Sequence, residues 1–331
     1  MAIRIVRVTT LDPDQAELAE AWNEASIFST SATMGEDNDA RSIASHRARE
    51  ESPNWDHTYL AAIDDHDRVV ASAALAMPQR DNLQLALFRI DVTPDHRRRG
   101  IGTTMLEHLT RQAREAGRIS LAAETAYPQN GTDPGEGFAR RHGFDLAQTN
   151  HRNDLDVTAY SFEKPLETQG YAIETSTDDT LDEWLEDRAI LQQRMSTDAP
   201  IGELDFEEEA WDAERLKGER EAARKSERSV IESVARHLGT DTLVAFSQVQ
   251  VPIAEPELAY QQDTLVLREH RGHGLGAALK AANMLALRTE FPQTRTVRTW
   301  NAVENGPMIA VNEALGYRTT AIQREWQKRL A

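Results

Sequence analysis

Phe88-Arg89-Ile90-Asp91-Val92-Thr93-Pro94-Asp95-His96-Arg97-Arg98-Arg99-Gly100-Ile101-Gly102 runs from an apolar, strand-like stretch into a turn punctuated by glycine. Gln262-Asp263-Thr264-Leu265-Val266-Leu267-Arg268-Glu269-His270-Arg271-Gly272-His273-Gly274-Leu275-Gly276 does the same in the second half. Val92 and Val266, His96 and His270, Arg97 and Arg271, Gly100 and Gly274, and Gly102 and Gly276 are each separated by 174 residues. So many identities in one register mark a duplicated domain rather than coincidence. Gly143-Phe144 and Gly316-Tyr317, 173 residues apart, carry the match toward the end of each copy.

Working outward, the first copy reads as strands over 3–8, 59–63, 69–76, 83–92 and 119–123, with helices over 14–25, 40–51, 102–116 and 135–142. Strands alternating with helices predict an α/β (α+β) fold, here two tandem domains, each a mixed central β-sheet flanked by helices. Residues 164–170 are polar with Pro and Gly, and a fresh strand is predicted over 171–175. The boundary is expected there, giving domains 1–165 and 166–331. Residues 207–228 are dense in charges of both signs and predict a helix, either a solvated face or a lid.

A chain of 331 residues has room for two such cores, and 40% apolar residues place it among folded rather than disordered proteins. No apolar run approaches the roughly 20 residues of a bilayer span, and the first residues read as strand rather than signal peptide, so a cytoplasmic protein without membrane contact is expected. Without cysteine, disulfides, thiolate-bound zinc and a cysteine nucleophile are excluded, and no His/Asp/Glu spacing suggests a metal. The net charge of −18 argues against a nucleic-acid partner and favours cationic small molecules or basic peptides.

The turn itself has a direct physical reading. Glycines let the backbone bend tightly and approach a ligand, and the first helical turn that follows leaves N–H groups unpaired. The helix dipole adds roughly half a positive charge at the same place, so the spot suits an anion. Arg97 and Arg271 are expected to supply charge-assisted contacts nearby. A single turn of this kind would serve equally well as a plain helix start; two in register favour a ligand.

With Asp91-Val92-Thr93-Pro94 before it, the Arg-x-x-Gly-x-Gly pattern resembles that of the GNAT superfamily of acetyl-CoA-dependent N-acetyltransferases, and the resemblance spans nearly the whole chain as two copies. It implies acetyl-CoA as co-substrate, with the pantetheine arm paired along Asp91-Val92 and Leu265-Val266. The diphosphate is implied to lie on Arg97, Arg98, Arg99, Gly100, Ile101, Gly102 and Thr103, and on Arg271, Gly272, His273, Gly274, Leu275 and Gly276. A second landmark, an Asn before a helix that leads into Gly-Phe, falls on Asn305 in the second copy. In the first copy Thr132 stands there, which makes the C-terminal copy the expected catalyst. Among two-copy relatives, mycothiol synthase is similar in its duplication.

The tyrosine acid of many family members is missing: Ala139 and Asn312 occupy its positions. Asn312 could orient the thiol without supplying a proton. A lysine-like amine, with pKa about 10.4, is almost wholly protonated at neutral pH and needs a base or a desolvating pocket. Asp263 is the leading candidate for that base, with Glu304 behind it, although a structural hydrogen bond would explain Asp263 as well. His96 and His270, which recur in register, read as turn-stabilising or phosphate-facing rather than catalytic. The expected partner is a small-molecule or peptide amine, the expected assembly a monomer or homodimer. An acyl-CoA-binding regulatory module without turnover is the alternative.

Overall fold

The computed structural model describes residues 3–35, 39–160, 166, 168–198 and 200–330; Lys164, Pro165 and Glu167 of the expected linker lie outside the described residues. In chain order the strands and helices are β1 (Arg4–Val8), α1 (Ala16–Met34), α2 (Ile43–Glu50), β2 (Trp55–Ile63), β3 (Val69–Pro78), β4 (Leu85–Val92), α3 (Ile101–Glu115), β5 (Ser120–Pro128), α4 (Glu136–Arg141) and β6 (Asp145–Asp156). The second copy continues with β7 (Tyr171–Thr177), α5 (Leu185–Asp198), α6 (Ala213–Lys225), β8 (Arg228–His237), β9 (Thr242–Pro252), β10 (Leu258–Val266), α7 (Leu275–Glu290), β11 (Thr296–Ala302), α8 (Gly306–Leu315) and β12 (Arg318–Arg329).

Two compact units result, and neither is one continuous piece of chain. The first comprises Met1–Thr149, Ile201–Phe206 and Ala321–Ala331; the second comprises Asn150–Pro200 and Glu207–Thr320. This differs from a single cut at 165. The reason lies in the closing strands. Ala321–Arg329 of β12 pair antiparallel with β5 in the first unit, and Asn150–Asp156 of β6 pair antiparallel with β11 in the second. Each sheet is completed by the last strand of the other repeat, a feature that periodicity along one chain does not display.

In the first unit the strand order is β1-β2-β3-β4-β5-β12, and in the second β7-β8-β9-β10-β11-β6. Neighbours are antiparallel except β4 with β5 and β10 with β11. On α3, Ile101, Met105, Leu106, Leu109 and Ala113 are buried, the spacing of one apolar face laid on the sheet. Met105 and Leu109 pack with Leu75, Leu121 and Trp326 in the first core. The second unit gathers Ile231, Val249, Met284, Leu287 and Val297 in the same way.

Two helices differ from expectation. α1 continues to Met34, well past residue 25, through Ser, Thr and β-branched residues that favour helix weakly. Tertiary bonds hold that extension: Ser29 Oγ donates to Val92 O at 3.0 Å, and Arg89 Nη2 donates to Thr30 Oγ1 at 2.6 Å. The charged helix predicted over 207–228 is shorter, because Asp212 caps α6 by accepting from Arg215 N at 2.7 Å and Arg228 already belongs to β8. No helix of the described residues is long and apolar enough to cross a membrane.

Candidate active site

The two parallel strand pairs separate partway along. β4 lies beside β5 only from Leu85–Ser120 to Phe88–Ala123, and then runs on to Val92 held by β3 alone. β10 leaves β11 after Tyr260–Arg298 and continues to Val266 beside β9. Alternate residues of a strand aim their N–H and C=O toward opposite edges, so Arg89–Val92 and Gln261–Val266 present backbone groups to a gap. An extended ligand can enter there as an added strand. Asp91, Val92, Leu265 and Val266 all lie on these stretches, but the carbonyls of Val92 and Val266 are already engaged by Arg97 Nε at 2.9 Å and Arg271 Nε at 3.1 Å.

Both strands feed turns of one geometry. Arg98 and Gly100 have φ of 64° and 85°, and Gly272 and Gly274 have 84° and 73°. Gly100 and Gly274 are helix N-caps in the left-handed region, where a side chain is strained, and neither helix has a side-chain cap. The first intrahelical bonds are Thr104 N to Gly100 O and Ala278 N to Gly274 O. The N–H groups of Ile101, Gly102 and Thr103, and of Leu275, Gly276 and Ala277, therefore lack helical acceptors, with the positive end of the dipole behind them. The second glycine of each turn serves packing: a Cβ on Gly102 would meet Val92 Cγ2 at 3.7 Å, and one on Gly276 would meet Val266 Cγ2 at 4.0 Å.

Half-buried Arg97 and exposed Arg271, expected to supply charge-assisted contacts near the turns, also hold internal bonds. Arg97 Nη2 donates to Ser29 O at 3.0 Å and Arg271 Nη2 to Asp198 Oδ2 at 3.0 Å, so these guanidiniums brace the turn against the strand end and the first helix of each unit. The groups left on the outer side of the turns are exposed Arg98 and Arg99 in the first unit, and exposed Gly272 and His273 in the second. His96 Nδ1 lies 2.9 Å from Thr93 Oγ1, and His270 Nδ1 lies 3.0 Å from Tyr171 OH, in keeping with bracing roles.

The three catalytic candidates of the second unit have other occupations. Asn305 caps α8, accepting from Met308 N at 3.4 Å. Asn312 is buried; its Oδ1 accepts from Lys280 Nζ at 2.8 Å and its Nδ2 donates to Asn301 Oδ1 at 2.7 Å. One acceptor site and one N–H of its amide are thereby taken up by internal partners. Burial draws Lys280 down to about 7, an inward lysine that the apolar face of α7 conceals in sequence. Asp263 accepts from Gln192 Nε2 at 2.8 Å beside a buried ion network, and Glu304 is exposed. In the first unit, Asp133 rather than Thr132 prepares the start of α4: its Oδ1 accepts from Gly135 N at 2.8 Å.

The faces of the sheets under α1/α2 and α5/α6 differ more than the turns do. In the second unit Glu232 of β8 is wholly buried and contacts Arg188 Nε and Arg220 Nη2, each at 2.8 Å, and accepts from Gln248 of β9. Burial works to raise the Glu232 pKa, and the two guanidiniums outweigh it and keep the carboxylate charged. In the first unit the pairing places Tyr59, Ala74 and Arg89 in one row across the sheet. The middle is held by small side chains: Ala74, packed against the cluster of Trp22 and Tyr59, and Ala76 are both half-buried. Since Phe88 is level with Ala123, the next β5 residue on the Arg89 face is Glu124, exposed at the point where the strands part. Among the described residues, no group of His, Asp and Glu could hold a metal ion.

Both copies thus combine parting parallel strands with an uncapped glycine turn at the start of a helix. Residues 20–144 match the acetyltransferase (GNAT) family. The chain is similar, at 25% identity and a TM-score of 0.83, to a tandem GNAT protein from the clavulanic acid biosynthesis pathway solved without AcCoA, covering 99% of this chain and 98% of that one. It also shares its fold with a GCN5-related N-acetyltransferase from Sphaerobacter thermophilus, at 14% identity and a TM-score of 0.71 over 99% and 95% of the chains. A search of curated protein sequences finds no match. The chain has the fold of a tandem GNAT protein, and the family match falls on the first copy rather than on the one the Asn305 landmark favours.

Proposed function

We propose that the protein is an acetyl-CoA-dependent N-acetyltransferase that transfers the acetyl group directly to a primary amine of a small molecule or peptide. The carrying observation is the repeated conjunction of an uncapped helix start, left-handed glycines and a strand that has left its parallel neighbour. Such a site fits the diphosphate at the turn and the pantetheine arm in the gap. Acetyl-CoA brings the thioester and a thiol that leaves readily.

The first unit is the better candidate for chemistry. Ala74 and Ala76 at its sheet centre are small and half-buried, and Glu124 stands where the strands part, positioned to take a proton from an incoming ammonium. Backbone N–H groups on the parted stretch of β4 would stabilise charge on the carbonyl oxygen. Supplying acetyl-CoA with a panel of primary amines and following thiol release tests the reading, and Glu124→Gln is expected to slow turnover by about 100-fold, the scale of losing a general base. Full activity in that variant would exclude the assigned role.

The second unit supports a different use. Asp263 and Asn312 are committed to internal partners, which favours binding of acyl-CoA without turnover in that copy. Thiol release that survives disruption of the Gly274 turn but not of the Gly100 turn would separate the two.

A further inference from the structure

The open face of the first unit carries a set of groups that the transfer step does not use. His57 and Tyr59 project from β2 on the same side as Ala74, Ala76 and Arg89. His57 is only 7% exposed, and neither ring nitrogen has a hydrogen-bond partner. Its imidazole is one of a line of rings, 6.2 Å from Trp55 and 6.2 Å from Tyr59, with His46 5.4 Å from Tyr59 above it. A buried imidazole that has the Arg49 backbone as a polar neighbour, with no well-formed hydrogen bond, stands on the same face as the shallow hollow over half-buried Ala74 and Ala76 and can take a further partner.

Three arginines converge on the same hollow. Arg89 is anchored by Asp91 at 2.6 Å and Thr30. Arg41 and Arg49 come from α2 and the residues before it, and Arg41 has no carboxylate within ion-pair distance among the described residues. Repulsion from Arg49, then burial, then repulsion from Arg89 lower the Arg41 pKa to about 10. Burial first, and the same guanidiniums next, push His46 down to about 3 and His57 to about 4. Asp91, Glu124 and Glu50 offset part of this crowding of like charge, and an added anion would offset more of it.

We propose that this hollow is an acceptor subsite for an anion, so that the amine acetylated by the first unit carries a carboxylate or a comparable anionic group. Arg41 is its principal cation, and His57 supplies a further donor. The proposal rests on the acetyltransferase reading and deepens it. The acceptor would lie across the sheet with its ammonium toward Glu124 and its anion toward α2, a zwitterion of amino-acid type. The second unit cannot take the same ligand, because Glu232 and Gln248 occupy the positions of Tyr59 and Ala74.

Calorimetry on the full chain tests this. The protein is first saturated with CoA, which occupies the phosphate-binding turns and prevents turnover, and is then titrated with succinate, with inorganic phosphate and with 1,4-diaminobutane. Saturable binding of either anion and none of the diamine is expected, with Arg41→Gln weakening the anion by about tenfold or more, and Arg41→Lys retaining most of it. Anion binding no stronger than that of the diamine, or equal in the wild type and Arg41→Gln, overturns the proposal. The CoA titration separates the two levels: CoA binding without anion binding removes the subsite alone, whereas failure to bind CoA removes the acetyltransferase reading beneath it.

Discussion

The same row of three strands is built twice in this chain, and its middle differs. In the first unit it reads Tyr59, Ala74 and Arg89; in the second it reads Glu232 and Gln248, with Asp263 beside them on β10. Ala74 is small and half-buried. Gln248 stands in the corresponding place and donates to Glu232, itself held between Arg188 and Arg220. One backbone frame therefore carries small side chains at the sheet centre in one copy and a buried ion network in the other. The proposal that only the first copy admits an acceptor rests on those few side chains, since the two glycine turns are alike.

The largest effect that tests this contrast is on stability. Glu232→Gln leaves Arg188 wholly buried without its counter-charge and should destabilise the protein by about 3–5 kcal/mol in urea denaturation. Tyr59→Phe, its counterpart, loses one hydrogen bond to His46 O and should cost only about 1 kcal/mol. Equal losses would erase the difference between the two faces.

Next comes cofactor affinity. Gly100→Asp, and separately Arg271→Glu with Gly274→Asp, each place negative charge at one turn and should weaken CoA at that turn by about 100-fold, or about 2.7 kcal/mol. Calorimetry would then show one site lost in each variant. Undiminished binding in either would remove that turn from the site.

Lys280 has no titrating equivalent in the first copy, where Leu106 stands in its place. Its folded value of about 7 lies below its ordinary 10.5, so the unfolded chain holds the extra proton between those limits. Stability should therefore be lowest below pH 7 and climb as pH rises through that window, by up to about 1.4 kcal/mol per pH unit. Denaturation at several pH values should show this climb in the wild type and its disappearance in Lys280→Met. The smallest expected effect is that of Asp263→Asn, less than about twofold on turnover if the second copy does no chemistry. A loss of about 100-fold would instead return catalysis to the second unit.

Much of the frame was readable in the residues. The duplicated register, the strand before each turn and the helix after it all appear in the structure, because glycine spacing and apolar periodicity are local properties. Asn312 illustrates the limit. Its position relative to Gly316 suggests a thiol-facing group, but Lys280 and Asn301 claim both ends of its side chain. Arg97 and Arg271 likewise match a phosphate-binding motif in type, while their guanidiniums also bond to Ser29 and Asp198. His57, Arg41 and Glu124 lie far apart in the chain and belong to no short motif, so nothing in one sequence could join them.

The sequence by itself determined that two α/β units exist, where each glycine turn lies and which helix follows it, since φ preferences and helix ends depend on nearest neighbours. Only the tertiary structure decided that the closing strands exchange between units, which side chains share a row across a sheet, and which buried groups are already satisfied. Those outcomes depend on strand pairing between residues more than a hundred positions apart, where side-chain packing and desolvation decide and local preference has no voice.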